Sequence, residues 1–211
     1  MSVKLAGNTT ATDVEVDTTA KAMRVTAYDT AGREVAPTKK TFSASGTFTP
    51  VANPTDLVII EGSGTTTVRV ISMVIATTNT AAGSQQFFLV KRSAADTTGT
   101  FVAATAIPWD SNNTATANRV GHFTANPGAL GATVGTINTI RVASPAAIPA
   151  TWAGIIWNAG IDLIPMNLGS TGNLNTPIIL RGVAQCLAIN FNSVALVAGQ
   201  THAYTVVWTE E

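Results

Sequence analysis

The side chains that move protons and hold metals are sparse in this sequence and lie far apart. There are two histidines, His122 and His202, and one cysteine, Cys186. A zinc site usually draws on a local pair of ligands, and no CxxC, HxxxH or HExxH spacing occurs. A serine hydrolase needs its nucleophile on a sharp turn and an acid to orient its histidine. The GxSxG elbow is missing and acids are few. A glycosidase needs two carboxylates at a set separation, whereas Asp96, Asp110 and Asp162 each stand beside turn residues, where Asp caps the local backbone. Gly62-Ser63-Gly64 and residues 128–135 are Gly-rich, but neither opens a helix nor carries the lysine of a phosphate loop, so both read as turns. These patterns predict a non-enzymatic chain with no catalytic residue, no cofactor and no metal.

Stacking of an exposed tryptophan on a sugar ring is the remaining chemistry on offer. Trp152 and Trp157 are five apart, so in one regular strand they point to opposite faces and form no common platform. Trp208 alternates with Tyr204 and Val206 on one face and reads as core. Trp109, between Pro108 and Asp110, is the candidate exposed aromatic, and a receptor- or glycan-binding module would place its pocket in loops such as residues 107–118.

The elements that must position these residues are strands. Residues 57–61, 68–77, 85–92, 119–124, 136–142, 154–164, 178–191 and 203–209 are rich in Val, Ile, Phe and Thr and are separated by Gly, Pro, Asn and Ser. Residues 143–152 have room for one helical turn, but Pro145 and Pro149 argue against more. Strands at this spacing predict an all-β fold, an antiparallel β-sandwich or jelly roll. In 68–77, Val68, Val70 and Val74 alternate with Ile71, Met73 and Ile75, and in 85–92 Phe88 and Val90 alternate with Phe87 and Leu89. Both faces of such strands need cover, from a loop, an arm or another subunit. In 178–191 one face carries the small residues Gly182, Ala184, Cys186 and Ala188, which favours close packing of a neighbouring sheet or subunit.

The first 61 residues hold most of the carboxylates and differ in this from the rest of the chain. Residues 13–16 and 21–28 read as short strands, 29–32 as a turn and 35–40 as a connector, giving an extended N-terminal arm over 1–40 and a sandwich body over 41–211. Charged residues make up 11% of the chain, against roughly 25% in a typical soluble domain. Thr, Asn and Ser stand in for charge, and part of the surface is expected to be hidden against partners. The formal net charge of +0 gives no steering toward nucleic acid or an anionic membrane. The sequence shows neither a leader pattern at its start nor a run of about 18 apolar residues, so no membrane association is expected. A lone cysteine makes no internal disulfide and suits assembly in a cytosol.

Two stretches resemble structural proteins of tailed-bacteriophage virions. One is Val14-Glu15-Val16-Asp17 followed by Lys21-Ala22-Met23-Arg24-Val25-Thr26-Ala27-Tyr28-Asp29 and Gly32, similar to the short β hook that opens many of them. The other is residues 177–191 together with Trp208-Thr209-Glu210-Glu211, similar to the closing strands of small β-sandwich virion proteins. The resemblance implies a jelly-roll or sandwich subunit that decorates or cements a capsid, or belongs to a collar, tail or fibre, and that forms a homo-oligomer, usually a trimer or larger ring. Its expected partners are itself and a major capsid or tail/collar protein, within a virion assembled in the host cytoplasm. The arm would add strands to such a neighbour through Val14, Val16, Lys21, Arg24, Val25 and Tyr28, with Arg33, Lys39 and Lys40 as further cations.

Overall fold

The computed structural model describes residues 2–6, 11–17, 22–27, 39–144, 155–158 and 177–211. The chain divides into two compact units, Met1–Lys39 and Lys40–Glu211. All regular elements among the described residues are β-strands, and none of these residues forms a helix long and apolar enough to cross a membrane.

The first unit holds β1 (Ser2–Ala6), β2 (Ala11–Asp17) and β3 (Ala22–Ala27), an antiparallel sheet in the order β1-β2-β3. The expected strands 13–16 and 21–28 correspond to β2 and β3. β1 was not anticipated, because its residues, Ser-Val-Lys-Leu-Ala, are too short a run to show periodicity. The expected turn at 29–32 lies outside the described residues.

The second unit packs two antiparallel sheets into a β-sandwich. Sheet I contains β4 (Lys40–Phe48), β6 (Thr67–Thr78), β9 (Ile107–Pro108), β12 (Ile155–Asn158), β13 (Ile178–Arg181) and β15 (Thr201–Glu210), in the order β12-β6-β15-β4-β9 with β13 also on β6. Sheet II contains β5 (Asp56–Glu61), β7 (Gly83–Arg92), β8 (Phe101–Ala103), β10 (Val120–Phe123), β11 (Thr133–Ser144) and β14 (Cys186–Asn190), in the order β11-β7-β14-β5-β10-β8. Of the connector expected over 35–40, residues 35–38 lie outside the described residues, and Lys40 already opens β4. Most of the expected 143–152 turn lies outside the described residues, as do the parts of 154–164 flanking β12.

β15 shows how sequence dictates placement. His202, Tyr204, Val206 and Trp208 are buried while Ala203, Thr205 and Val207 are not, the two-residue period of a half-buried strand. Trp208 stacks on Phe42 with ring centroids 5.6 Å apart. Across the interior Phe48 stacks on His122 at 5.1 Å, and Phe87 meets His202 edge-on at 5.8 Å. Complete burial of a side chain as large as Trp208 contributes about 2–3 kcal/mol or more before entropy.

Two expectations are corrected. The two-faced pattern of 68–77 is resolved by a β-bulge: Val207 pairs with Ser72 and Trp208 with Val70, so Ile71 is an extra residue. The bulge reverses parity, putting Val68, Val70, Met73 and Ile75 all in the core and leaving Ile71 and Val74 half-buried outside. Residues 178–191, expected as one strand, are two strands in different sheets. β13 pairs with β6, β14 with β5 and β7, and Gly182, with φ at 71°, makes the break. The supposed stripe of small residues therefore does not exist as a face. Gly182 and Ala184 lie in the connection, and only Cys186 and Ala188 share one side of β14.

Candidate functional site

The central strands of sheet II, β5 and β14, are buried on both faces. Ile60, Leu187 and Val120 lie in one row, as do Val58, Ile189, Leu89 and His122, and these rows face sheet I. The opposite face carries Ile59, Ala188 and Val90, then Glu61, Cys186 and Arg92, all buried. Charge is thus placed on a covered sheet face, which demands partners.

Those partners are present. The fork of Arg92 grips Asp56: Nη2 donates to Oδ1 at 2.9 Å and Nε donates to Oδ2. Its Nη1 donates to the Gly131 carbonyl at 2.8 Å and to Thr133 Oγ1 at 2.7 Å. Asn190 Nδ2 donates to Asp56 Oδ1 at 2.6 Å. At the other end of β5, Glu61 accepts from Arg119 and, at 2.6 Å, from Asn118 Nδ2. Hydrogen bonding to Glu61 raises the pKa of Arg119, keeping it charged although burial opposes this. The Arg119 guanidinium also lies 5.2 Å from the centroid of Phe101.

The cover over this face comes from the chain itself. Residues 93–100, leaving β7, and 124–132, entering β11, are zipped together by bonds from Ser93 N–H to Ala132 O at 2.8 Å, Thr97 N–H to Ala129 O at 2.9 Å and Thr124 N–H to Thr100 O at 2.8 Å. Gly131 packs so closely that a Cβ there would strike the Ala94 carbonyl. This strap is tied to the network by Gly131 O on Arg92 and by Asp96, whose carbonyl accepts from Arg119 Nη2 at 2.8 Å. Asp96 is 1% exposed; its Oδ1 accepts Gly131 N–H at 2.7 Å and lies 3.5 Å from Arg92 Nε, while Oδ2 has no partner. Burial, followed by the negative charge of Asp56, pushes its carboxyl up to about 6. Burial likewise raises the Cys186 thiol well above its usual range, with the nearby carboxylates adding to the effect. The expectation that Asp96 caps its own local backbone is therefore corrected. Asp110 does act locally, accepting Asn112 N–H at 3.0 Å, and Asp162 lies outside the described residues.

β9 presents the exposed aromatic. Trp109 is 68% exposed and Ile107 55%, while Trp109 N–H holds the sheet edge by donating to Thr41 O at 2.9 Å. The loop after β9 is pinned from below by Glu210. Its carboxylate accepts from Thr116 N–H, Thr116 Oγ1 and Ala117 N–H at 2.7–3.0 Å and from Trp208 Nε1 at 2.9 Å. Four donors on one buried carboxylate make residue 210 the anchor of this loop.

Both histidines face the core. His122 Nδ1 lies 3.2 Å from the Tyr204 hydroxyl, and His202 Nδ1 lies 2.8 Å from Thr77 Oγ1. Burial holds His202 down at about 3 and lowers His122 as well. Among the described residues no group of three or more His, Cys, Asp and Glu is placed to hold a metal ion.

In the first unit the register pairs Val14 with Val25, Glu15 with Arg24 and Val16 with Met23. Lys21, Tyr28 and Arg33 lie outside the described residues, whereas Lys39, which ends the first unit, and Lys40, which opens the second, are exposed. The sequence pattern did not reveal the ionic network, although a signal existed: Asp56 and Glu61 bracket the apolar run Leu57-Val58-Ile59-Ile60, and Lys91-Arg92 closes Phe87-Phe88-Leu89-Val90. A charge ending an apolar strand usually marks its exit to solvent, and only the topology reveals that these ends are covered. Compared with protein-family models, curated proteins and solved structures, the chain matches none.

Proposed function

We propose that this chain is a non-enzymatic structural subunit of a tailed-phage virion, a capsid decoration or cement subunit that oligomerises and stabilises the particle. The observation carrying this reading is the division into a small three-stranded sheet within Met1–Lys39 and a separate two-sheet body. A strand-bearing N-terminal module beside a self-contained body suits a subunit that grips one neighbour and covers another. In this reading the body is a jelly roll that trimerises, and the N-terminal segment adds strands to a major capsid or tail protein through Val14, Val16, Lys21, Arg24, Val25 and Tyr28. Charge use supports it: Asp56, Glu61, Asp96, Arg92 and Glu210 are all spent inside a chain already poor in charge. That leaves a surface of hydroxyls and amides, suited to burial among copies.

Light scattering of the full chain and of a version lacking residues 1–39 tests the proposal. A trimer or larger ring that survives the truncation supports it, and a monomer in both forms overturns it. A second reading, a collar, tail or fibre component that binds a receptor or glycan, is favoured by the exposure of Trp109 beside a polar loop. Glycan affinity that is lost in Trp109→Ala while the fold is kept supports that reading.

A further inference from the structure

The covered face of sheet II holds three carboxylates, Asp56, Glu61 and Asp96, against two guanidiniums, Arg92 and Arg119. Pairing Arg92 with Asp56 and Arg119 with Glu61 leaves Asp96 as the excess negative charge, in a place water does not reach. The groups facing it are Asp56 from β5, Arg92 from β7 and Arg119 at the entry to β10, with Glu61 and the Cys186 thiol behind them and Gly131 N–H from the strap itself. Arg92 has already committed all three of its nitrogens to Asp56, Gly131 and Thr133. No donor reaches Asp96 Oδ2, although that oxygen is buried. A carboxylate in this position lacks one hydrogen, and the Asp56 carboxylate, which flanks the same Arg92 Nε that lies 3.5 Å from Asp96 Oδ1, can accept the bond that hydrogen would make.

We propose that Asp96 and Asp56 form a carboxyl–carboxylate pair sharing one proton, and that this proton latches the strap of residues 93–100 and 124–132 over sheet II. The Asp96 hydroxyl donates to Asp56, while Oδ1 keeps its bond from Gly131 on the opposite limb of the strap. One proton thus joins both limbs to β5. When the proton leaves, two like charges face each other without water, and the strap loosens.

The sign is opposite to that of an ordinary salt-bridged aspartate. A carboxyl that titrates higher in the closed form than in the open form binds its proton on closing. Closure is therefore favoured below about 6 and weakens as pH rises from the ordinary Asp range through that value. Between about pH 5 and about pH 8 the opening equilibrium of the strap should rise roughly tenfold.

Hydrogen exchange of the full chain at these two pH values, corrected for intrinsic exchange, measures this directly. The expected result is roughly tenfold greater opening of strap amides at the higher pH, with no matching change in the central strands β6 and β15. Asp96→Asn keeps an acceptor for Gly131 and supplies a permanent donor to Asp56, so its strap should be insensitive to pH and held at the acidic level of protection. A wild-type strap with equal protection at both values overturns the latch, as does an Asp96→Asn strap that retains the wild-type dependence. Should Asp96→Asn fail to fold, side-chain carboxyl resonances of the wild type decide: a midpoint for Asp96 well above those of exposed aspartates supports the shared proton, and an ordinary midpoint overturns it.

Discussion

Glu210 shows how much one residue can hold. Its carboxylate serves two backbone N–H groups, a threonine hydroxyl and the Trp208 indole. Glu210→Ala leaves these buried donors unpaired and should cost about 2–4 kcal/mol in urea unfolding, while also loosening residues 110–118. His202 makes a second prediction, with its own sign. Its folded value of about 3 lies below the ordinary 6.5, so its contribution is complete above 6.5 and is lost as pH falls toward 3. Unfolding free energies at about pH 7.5 and about pH 5 should differ by about 2 kcal/mol less in His202→Phe than in the wild type. The Asp96 carboxyl acts in the opposite direction over part of the same range, so only the difference between variants isolates the histidine. At this scale the sequence was partly legible. Trp208 and Tyr204 announced themselves by alternation with the smaller residues Ala203, Thr205 and Val207, whereas Asp96 looked like any aspartate before a turn, because the residues that make it unusual are 40 positions earlier in the chain, at Asp56, and 35 later, at Gly131.

Among elements, the legible ones were those whose pattern is complete within themselves. β15 has one buried row and one open row, and its span was plain. β6 was found but its faces were misassigned, since the extra residue Ile71 can be recognised only when β15 lies beside it. The run from 178 to 191 stays apolar across a change of sheet, and Gly182 is the sole local mark of the break. Gly182→Ala should cost about 1–2 kcal/mol, from backbone conformation alone, because no neighbour lies where the new methyl would sit. Gly62→Ala should cost more, since there a methyl strikes the Gly182 carbonyl. Paired thermal melts of the two variants separate backbone strain from collision. Deletion of Ile71 should leave cooperative folding intact in thermal melts, because Val70 and Ser72 then follow one another opposite Trp208 and Val207 and plain alternation keeps Val68, Val70, Met73 and Ile75 in the core.

For the whole molecule, the division at Lys39 predicts that residues 40–211 fold without the first unit, with one cooperative transition by circular dichroism. The sandwich class was readable from strand spacing and the lack of helical periodicity, but strand order was not, because long-range pairing leaves no mark on either partner alone. That order bears on how the protein is made. β15 lies between β4 and β6, and both of those strands leave the ribosome more than a hundred residues before it does. A nascent chain that has emerged only to residue 200 therefore has two apolar strands with an empty lane between them, open to any strand that fits. Co-translational folding of sheet I must wait, and in a crowded polysome the same lane invites exchange of β15 between neighbouring chains.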